Sequence, residues 1–213
     1  MKKLALIFTL PLFLIACGGE EPKEEELDNI DVEKNPLGAL MKMGKNMAEN
    51  AEKMEEKMKN KENAKAIHYE ELLKYLPQSI DGYQINGDPK GSSMDMQGMS
   101  YSSAEVVFIN DDNNRIKIAL LDYNAAYNMY TMATTMWASG FKIDTTEELA
   151  QSISFGDNIK GWESFKKKSK QASVSLGIGD RFLLTIDGDN QEGTDALKEI
   201  AKSMDIDGLA SLE

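Results

Sequence analysis

Residues 171–187 read QASVSLGIGDRFLLTID and carry the clearest structural pattern in the chain. Apolar residues occupy every second position on both sides of Gly179-Asp180, and a period of two is typical of a strand with one buried face. The apolar series are Ala172, Val174, Leu176, Ile178 and then Phe182, Leu184, Ile186. Gly179 and Asp180 suit a two-residue turn. The stretch therefore predicts an antiparallel β-hairpin with one face against a hydrophobic core.

Segments upstream of this hairpin predict further strands of the same kind. The predicted strands cover 82–85, 104–108, 115–120, 141–145, 152–155 and 160–169. The polar segment from Asn86 to Ser93 contains glycines and is expected to be a connection. Together with the two strands of the final hairpin these are eight segments, of which about six or seven are expected to be half-buried strands of one antiparallel sheet.

Two main helices are predicted to accompany the sheet. Asn124 can cap the first, whose apolar positions fall on one face before Gly140, and Thr194 lies near the start of the second. A shorter helix from Tyr69 ends at Pro77. We expect the helices to pack on the sheet, which makes residues 66–213 an α+β globular domain.

The order of elements from Gly82 to Met204 resembles the PsbP-like fold, which occurs in several small exported lipoproteins. No diagnostic motif accompanies this order. The resemblance implies a non-enzymatic scaffold or interaction domain.

The first residues indicate how the protein is held. Lys2 and Lys3 precede an apolar run, and Leu14-Ile15-Ala16-Cys17 closes it. This resembles a bacterial lipoprotein signal, which implies removal of residues 1–16 and a covalent lipid on Cys17. The run is too short for a membrane-spanning helix, which needs roughly 20 apolar residues. An ordinary secretory signal would instead leave Cys17 as a free thiol.

The residues after Cys17 bear on location. Gly18 stands where an aspartate favours inner-membrane retention in enteric bacteria, so the resemblance implies a lipid anchor in the outer membrane. Glu20-Glu21 resembles a surface-export signal of other diderm bacteria. The domain is therefore expected to face either the periplasm or the cell surface.

Two segments separate the lipid from the domain. Residues 17–36 are rich in acids and poor in large apolar residues, which predicts a flexible lipidated tether. Residues 37–65 predict an amphipathic helical spacer. Its apolar stripe has alternating spacings of three and four and consists of Leu37, Leu40, Gly44, Met47, Ala51, Met54 and Met58. The same stripe is an alternative site of self-association.

Charge and residue usage exclude several functions. The chain has 24 Lys and Arg against 36 Asp and Glu, a net charge of −12, and loss of Lys2 and Lys3 makes it −14. Such a chain is repelled by nucleic acid, so its expected partners are the membrane, through the lipid, and an envelope protein. With Cys17 lipidated and His68 the sole histidine, no disulfide, thiol nucleophile or histidine triad is available. We expect no enzyme and no cofactor other than the lipid, with a carboxylate-based hydrolase as the weaker alternative.

One candidate metal site is a methionine group. Met94, Met96 and Met99 resemble methionine-rich segments of periplasmic proteins that bind Cu(I) or Ag(I), and thioether sulfur is a soft ligand. The alternative is that these side chains pack on the core.

A candidate ligand site is aromatic. Four residues crowd the predicted first main helix, namely Tyr123, Tyr127, Tyr130 and Trp137. Exposed ring faces there would favour a small-ligand or protein-binding surface.

Other charged groups are expected to be structural. The basic patch Lys166, Lys167, Lys168 and Lys170 fits a solvated strand end, with an anionic partner as the alternative. Asp187–Glu192 lacks the glycine and the closing glutamate of a calcium loop and is expected to be a turn. His68 is expected at the surface.

Overall fold

The computed structural model describes residues 65–96, 99–123, 134, 137, 140–155 and 159–212. These residues include nine strands and three short helices. The strands are β1 (Gln84–Ile85), β2 (Lys90–Met96), β3 (Met99–Ile109), β4 (Arg115–Asp122), β5 (Lys142–Asp144), β6 (Glu148–Phe155), β7 (Ile159–Lys166), β8 (Gln171–Ile178) and β9 (Phe182–Gly188). The helices are α1 (Tyr69–Leu73), α2 (Asp195–Ser203) and α3 (Ile206–Ala210).

All nine strands belong to one antiparallel sheet. Their order is β1-β3-β4-β9-β8-β7-β6-β5, and β2 also pairs with β3. The predicted antiparallel sheet is thus confirmed. The expectation of six or seven strands with two main helices is wrong, because the sheet dominates the described residues and their helices are short.

The core lies on one face of the sheet. The register aligns Val106, Ile118, Ile186 and Val174 in one row across β3, β4, β9 and β8, and all four are buried. Burial of each such side chain contributes about 1.5–3 kcal/mol. The helices add Leu72, Leu197, Ala201, Ile206 and Leu209 to the same cluster. The described helices therefore pack on this face, as the apolar periodicity predicts.

The final hairpin is confirmed, but its predicted two-residue turn is wrong. The last ladder pair is Ile178 with Phe182, so the loop has three residues, Gly179, Asp180 and Arg181. Directly paired residues share a face, and a two-residue turn would pair Ile178 with Arg181 and put the two apolar series on opposite faces. The extra residue keeps both series on the core. Gly179 and Asp180 have φ of 59° and 51°, which glycine and aspartate tolerate.

The strand β2 occupies part of the segment expected to be a connection. All seven of its residues are exposed, so no alternation of apolar residues marks it. Strand β6 also begins earlier than expected, at Glu148. Strand β2 is defined by its pairing with β3, and the early start of β6 is defined by its pairing with β7.

Several predictions lie outside the described residues. These are the leader 1–16, the tether 17–36, nearly all of the spacer 37–65, and most of the helix expected after Asn124, of which only Thr134 and Trp137 are described. Within the described part of the chain, no helix has the length and apolar character needed to cross a bilayer.

Candidate functional site

A groove lies between strands β6 and β7 and helices α2 and α3. Its volume is about 760 Å³. The apolar part of its lining is Ile153, Phe155, Ile159, Met204 and Ile206. The polar and charged part is Gln151, Ser154, Glu163, Asp195, Lys198, Glu199, Lys202, Asp205 and Asp207. A concave surface with apolar and convergent polar groups is the usual form of a ligand site.

The carboxylate of Glu163 is the most buried charged group of the groove. Its side chain is 2% exposed. Gln151 Nε2 donates a hydrogen bond to Oε1 at 2.5 Å, and Thr194 Oγ1 donates to Oε2 at 2.5 Å. Lys198 Nζ lies 3.0 Å from Oε2. A buried carboxylate held by two neutral donors and one cation can stay ionised.

The pKa of Glu163 reflects this balance. Burial by itself raises the pKa, but the hydrogen bonds from Thr194, Gln151 and Lys198 and the charge of Lys198 lower it further than burial raises it. The pKa of Glu163 therefore lies below its ordinary value of 4.5. At neutral pH the groove contains a fixed negative charge.

Lys198 links the buried carboxylate to the groove rim. Its Nζ also lies 2.8 Å from Oδ1 of Asp195, which is exposed. Burial by itself lowers the pKa of Lys198, but the two carboxylates raise it above its ordinary value of 10.5. Lys198 is thus a cation with two anionic partners.

Strand parity brings these groups together. On β7, Ile159, Gly161, Glu163 and Phe165 share the core-facing side, and the register pairs Glu163 with Gln151 of β6. Thr194 is the N-cap residue of α2, yet its hydroxyl bonds Glu163 instead of the helix backbone. No pattern in the sequence was interpreted as this site. The signal that could have predicted the site is Glu163 itself, a charged residue at a core-facing position of β7.

A second buried polar group joins distant parts of the domain. Asp122 is 0% exposed and Arg181 is 3% exposed. Arg181 Nε donates to Oδ1 of Asp122 at 3.0 Å, and a second guanidinium nitrogen of Arg181 donates to Oδ2 at 2.8 Å. The Ile67 backbone N–H donates to Oδ2 of Asp122 at 2.8 Å, and Arg181 donates to the Leu212 carbonyl at 3.3 Å. We call these four residues the clasp. It fixes the start and the end of the described domain to strand β4 and to the loop between β8 and β9.

The predicted methionine residues lie on the hairpin of β2 and β3. Met94 is 41% and Met96 54% exposed, so neither packs fully into the core. The register pairs Met96 with Met99. The soft-metal hypothesis stays a prediction.

The predicted aromatic site is described only in part. Tyr123 is half-buried. Burial is the larger cause that raises its pKa above the ordinary value of 10.0, and the electrostatic interaction with the nearby Tyr101 raises the pKa further. Trp137 is also half-buried, whereas Tyr127 and Tyr130 lie outside the described residues, as does Cys17. The aromatic site and the lipidation site stay predictions.

The other charged groups have local partners. Lys167, Lys168 and Lys170 form ion pairs of 2.6–2.7 Å with Asp144, Glu147 and Glu192. His68 is exposed, with Nδ1 3.6 Å from Glu70 Oε2. These pairs neutralise much of the basic patch, which agrees with a structural role.

Comparison with known proteins adds no functional assignment. No protein-family model matches the chain, and no curated protein matches it significantly. Among the residues described, no group of three or more His, Cys, Asp or Glu side chains is arranged to hold a metal ion. The groove and the sequence around Cys17 are therefore the basis for proposing a function.

Proposed function

We propose that this chain is a lipid-anchored protein of the bacterial cell envelope whose sheet domain is a non-enzymatic binding module. The observation that carries the binding role is the groove between β6, β7, α2 and α3, with ionised Glu163 fixed at its base. Preorganised polar groups beside apolar walls reduce the ordering cost of binding a small molecule.

The anchor is supported by the sequence Leu14-Ile15-Ala16-Cys17 after an apolar run. Lipidation would remove the only thiol, and multiple acyl chains give stable membrane attachment. The outer membrane is the proposed location, because Gly18 follows the cysteine.

The binding role predicts that the full chain retains a small molecule in its groove. We would extract the protein from its own membranes in mild detergent and record native mass spectra. The substitution Ile153→Ala removes apolar contact from the groove and should reduce the retained fraction severalfold. Ile143→Ala is the matched control, because Ile143 lies on the edge strand β5 and does not line the groove.

Two outcomes would contradict the binding role. One is a wild-type chain without any retained molecule. The other is equal retention in Ile153→Ala and the wild-type protein, which would place the molecule elsewhere.

A second candidate function is binding of Cu(I) or Ag(I), favoured by the exposure of Met94 and Met96 and by the pairing of Met96 with Met99. One tightly held copper ion per chain under reducing conditions, lost when all three methionines are replaced by leucine, would support it. Absence of copper binding by the wild-type protein would contradict it.

A further inference from the structure

The charges of the groove select the sign of its ligand. Five acids line it, Glu163, Asp195, Glu199, Asp205 and Asp207, against two cations, Lys198 and Lys202. The lining thus has a formal net charge of −3, on a chain whose net charge is −12. An anion approaching this surface is repelled and a cation is attracted.

The two lysines are already engaged. Lys198 lies between Glu163 and Asp195 at 3.0 and 2.8 Å, and Lys202 Nζ lies 2.7 Å from Glu199 Oε1. An anionic ligand would have to displace carboxylates from both lysines. A cationic ligand needs no such exchange, because Asp207 on the rim is exposed to solvent.

The apolar lining limits the ligand further. Ile153 and Phe155 of β6 are half-buried and line the groove opposite the charged helices. A bare metal ion or a fully hydrated cation would leave the exposed parts of these side chains in water, although their other sides pack against the core. An aliphatic chain next to the charge would cover them.

From this arrangement we infer that the groove binds an organic ammonium ion with an aliphatic body. The ammonium group faces the carboxylates of α2 and α3, and the aliphatic body lies against Ile153 and Phe155. This inference rests on the proposed binding function and adds the chemical class of the ligand.

The test uses the full-length chain in detergent, titrated calorimetrically at low ionic strength with three probes of matched length. They are 1,5-diaminopentane, neutral 1,5-pentanediol and anionic glutarate. We expect the diamine to bind at least tenfold more tightly than the diol, with an affinity that falls as salt is added, and glutarate not to bind. Equal or tighter binding of the diol or of glutarate would overturn the inference.

Charge variants locate the bound ammonium ion. Asp207→Asn should weaken diamine binding about threefold or more, because it removes one rim charge. Asp189→Asn makes the same charge change at an exposed residue that does not line the groove, and it should leave the affinity unchanged. Equal effects of the two substitutions would show that the diamine senses only the overall charge, and would overturn the inference.

A third variant tests the carboxylates of α2, because Lys198 is paired with Asp195. Lys198→Met removes a groove cation and should tighten diamine binding about threefold or more, provided circular dichroism shows a folded protein. Unchanged or weaker binding by the folded variant would overturn the placement of the ammonium group at the carboxylates of α2.

The ligand class and the binding function can fail separately. If the diamine does not bind while the native chain retains a molecule that Ile153→Ala releases, the ligand class is wrong and the binding function stands. If no probe binds and the native chain retains nothing, both are wrong.

Discussion

Glu163 and Asp122 are two carboxylates that the fold buries in different ways. Glu163 lies at the base of an open groove with partners from β6 and α2, whereas Asp122 forms a bidentate pair with Arg181 in the clasp. A buried ion pair gains stability only if further hydrogen bonds supplement the pairing, because desolvation of each ion costs several kcal/mol. At both sites each carboxylate oxygen accepts at least one hydrogen bond, and neutral donors contribute, namely Gln151 and Thr194 to Glu163 and the Ile67 N–H to Asp122.

The lowered pKa of Glu163 predicts a pH-dependent contribution to stability. Because the folded-state pKa lies below the unfolded value of 4.5, the contribution is present above that pH and is lost as pH falls through the folded-state pKa. Glu163→Gln should therefore cost about 1–3 kcal/mol at pH 7 and clearly less at pH 3. Urea unfolding at the two pH values measures this, and an equal cost at both would show that Glu163 is not preferentially stabilised as the anion.

The clasp predicts a large effect from breaking one side of the ion pair. Arg181→Leu leaves Asp122 buried without its cation and should lower the free energy of unfolding by about 3–5 kcal/mol. The double substitution with Asp122→Leu should cost less than the sum of the two single changes, because no uncompensated charge remains. Urea denaturation of all four proteins measures the coupling, and additive costs would contradict a paired role.

At the scale of elements, close strand packing explains one buried glycine. Gly161 of β7 is buried, and an added Cβ would clash with the Ser175 carbonyl and the Leu176 side chain of β8. Gly193, before α2, has open space at the same position and no positive φ. The two residues therefore form a matched pair.

Gly161→Ala should destabilise the domain by about 1–3 kcal/mol, because β7 and β8 must separate to admit the methyl group. Gly193→Ala should be close to neutral or slightly stabilising. Thermal unfolding of the two variants provides the comparison. Similar melting temperatures would contradict the packing of β7 against β8.

Some elements were predictable because their residues alternate between core and solvent. Strands β4, β8 and β9 have that pattern, while β2 is exposed at every position and is defined only by its pairing with β3. The Glu163 site was not predicted, because Gln151 and Thr194 are 12 and 31 residues away along the chain. Such contacts depend on strand register and helix docking, which local patterns do not contain.

At the scale of the whole molecule, the clasp lies where the described domain begins. Ala66 N–H donates to Ser100 Oγ at 3.0 Å, and the next residue, Ile67, donates to Asp122. In the proposed arrangement the domain is attached through residues 17–65 to a lipid on Cys17. Membrane attachment through the lipid then places the groove at the envelope without a basic surface. This agrees with the net charge of −12, which becomes −14 when Lys2 and Lys3 are lost.

The mass and location of the mature chain test this central proposal most directly. Intact-mass spectrometry of the protein from fractionated cells of its own species should find a chain that starts at Cys17, carries acyl groups and lies in the membrane fraction. The substitution Cys17→Ala should remove the lipid mass and the membrane attachment together. A wild-type chain recovered from the soluble fraction with an unmodified Cys17 would contradict the proposal.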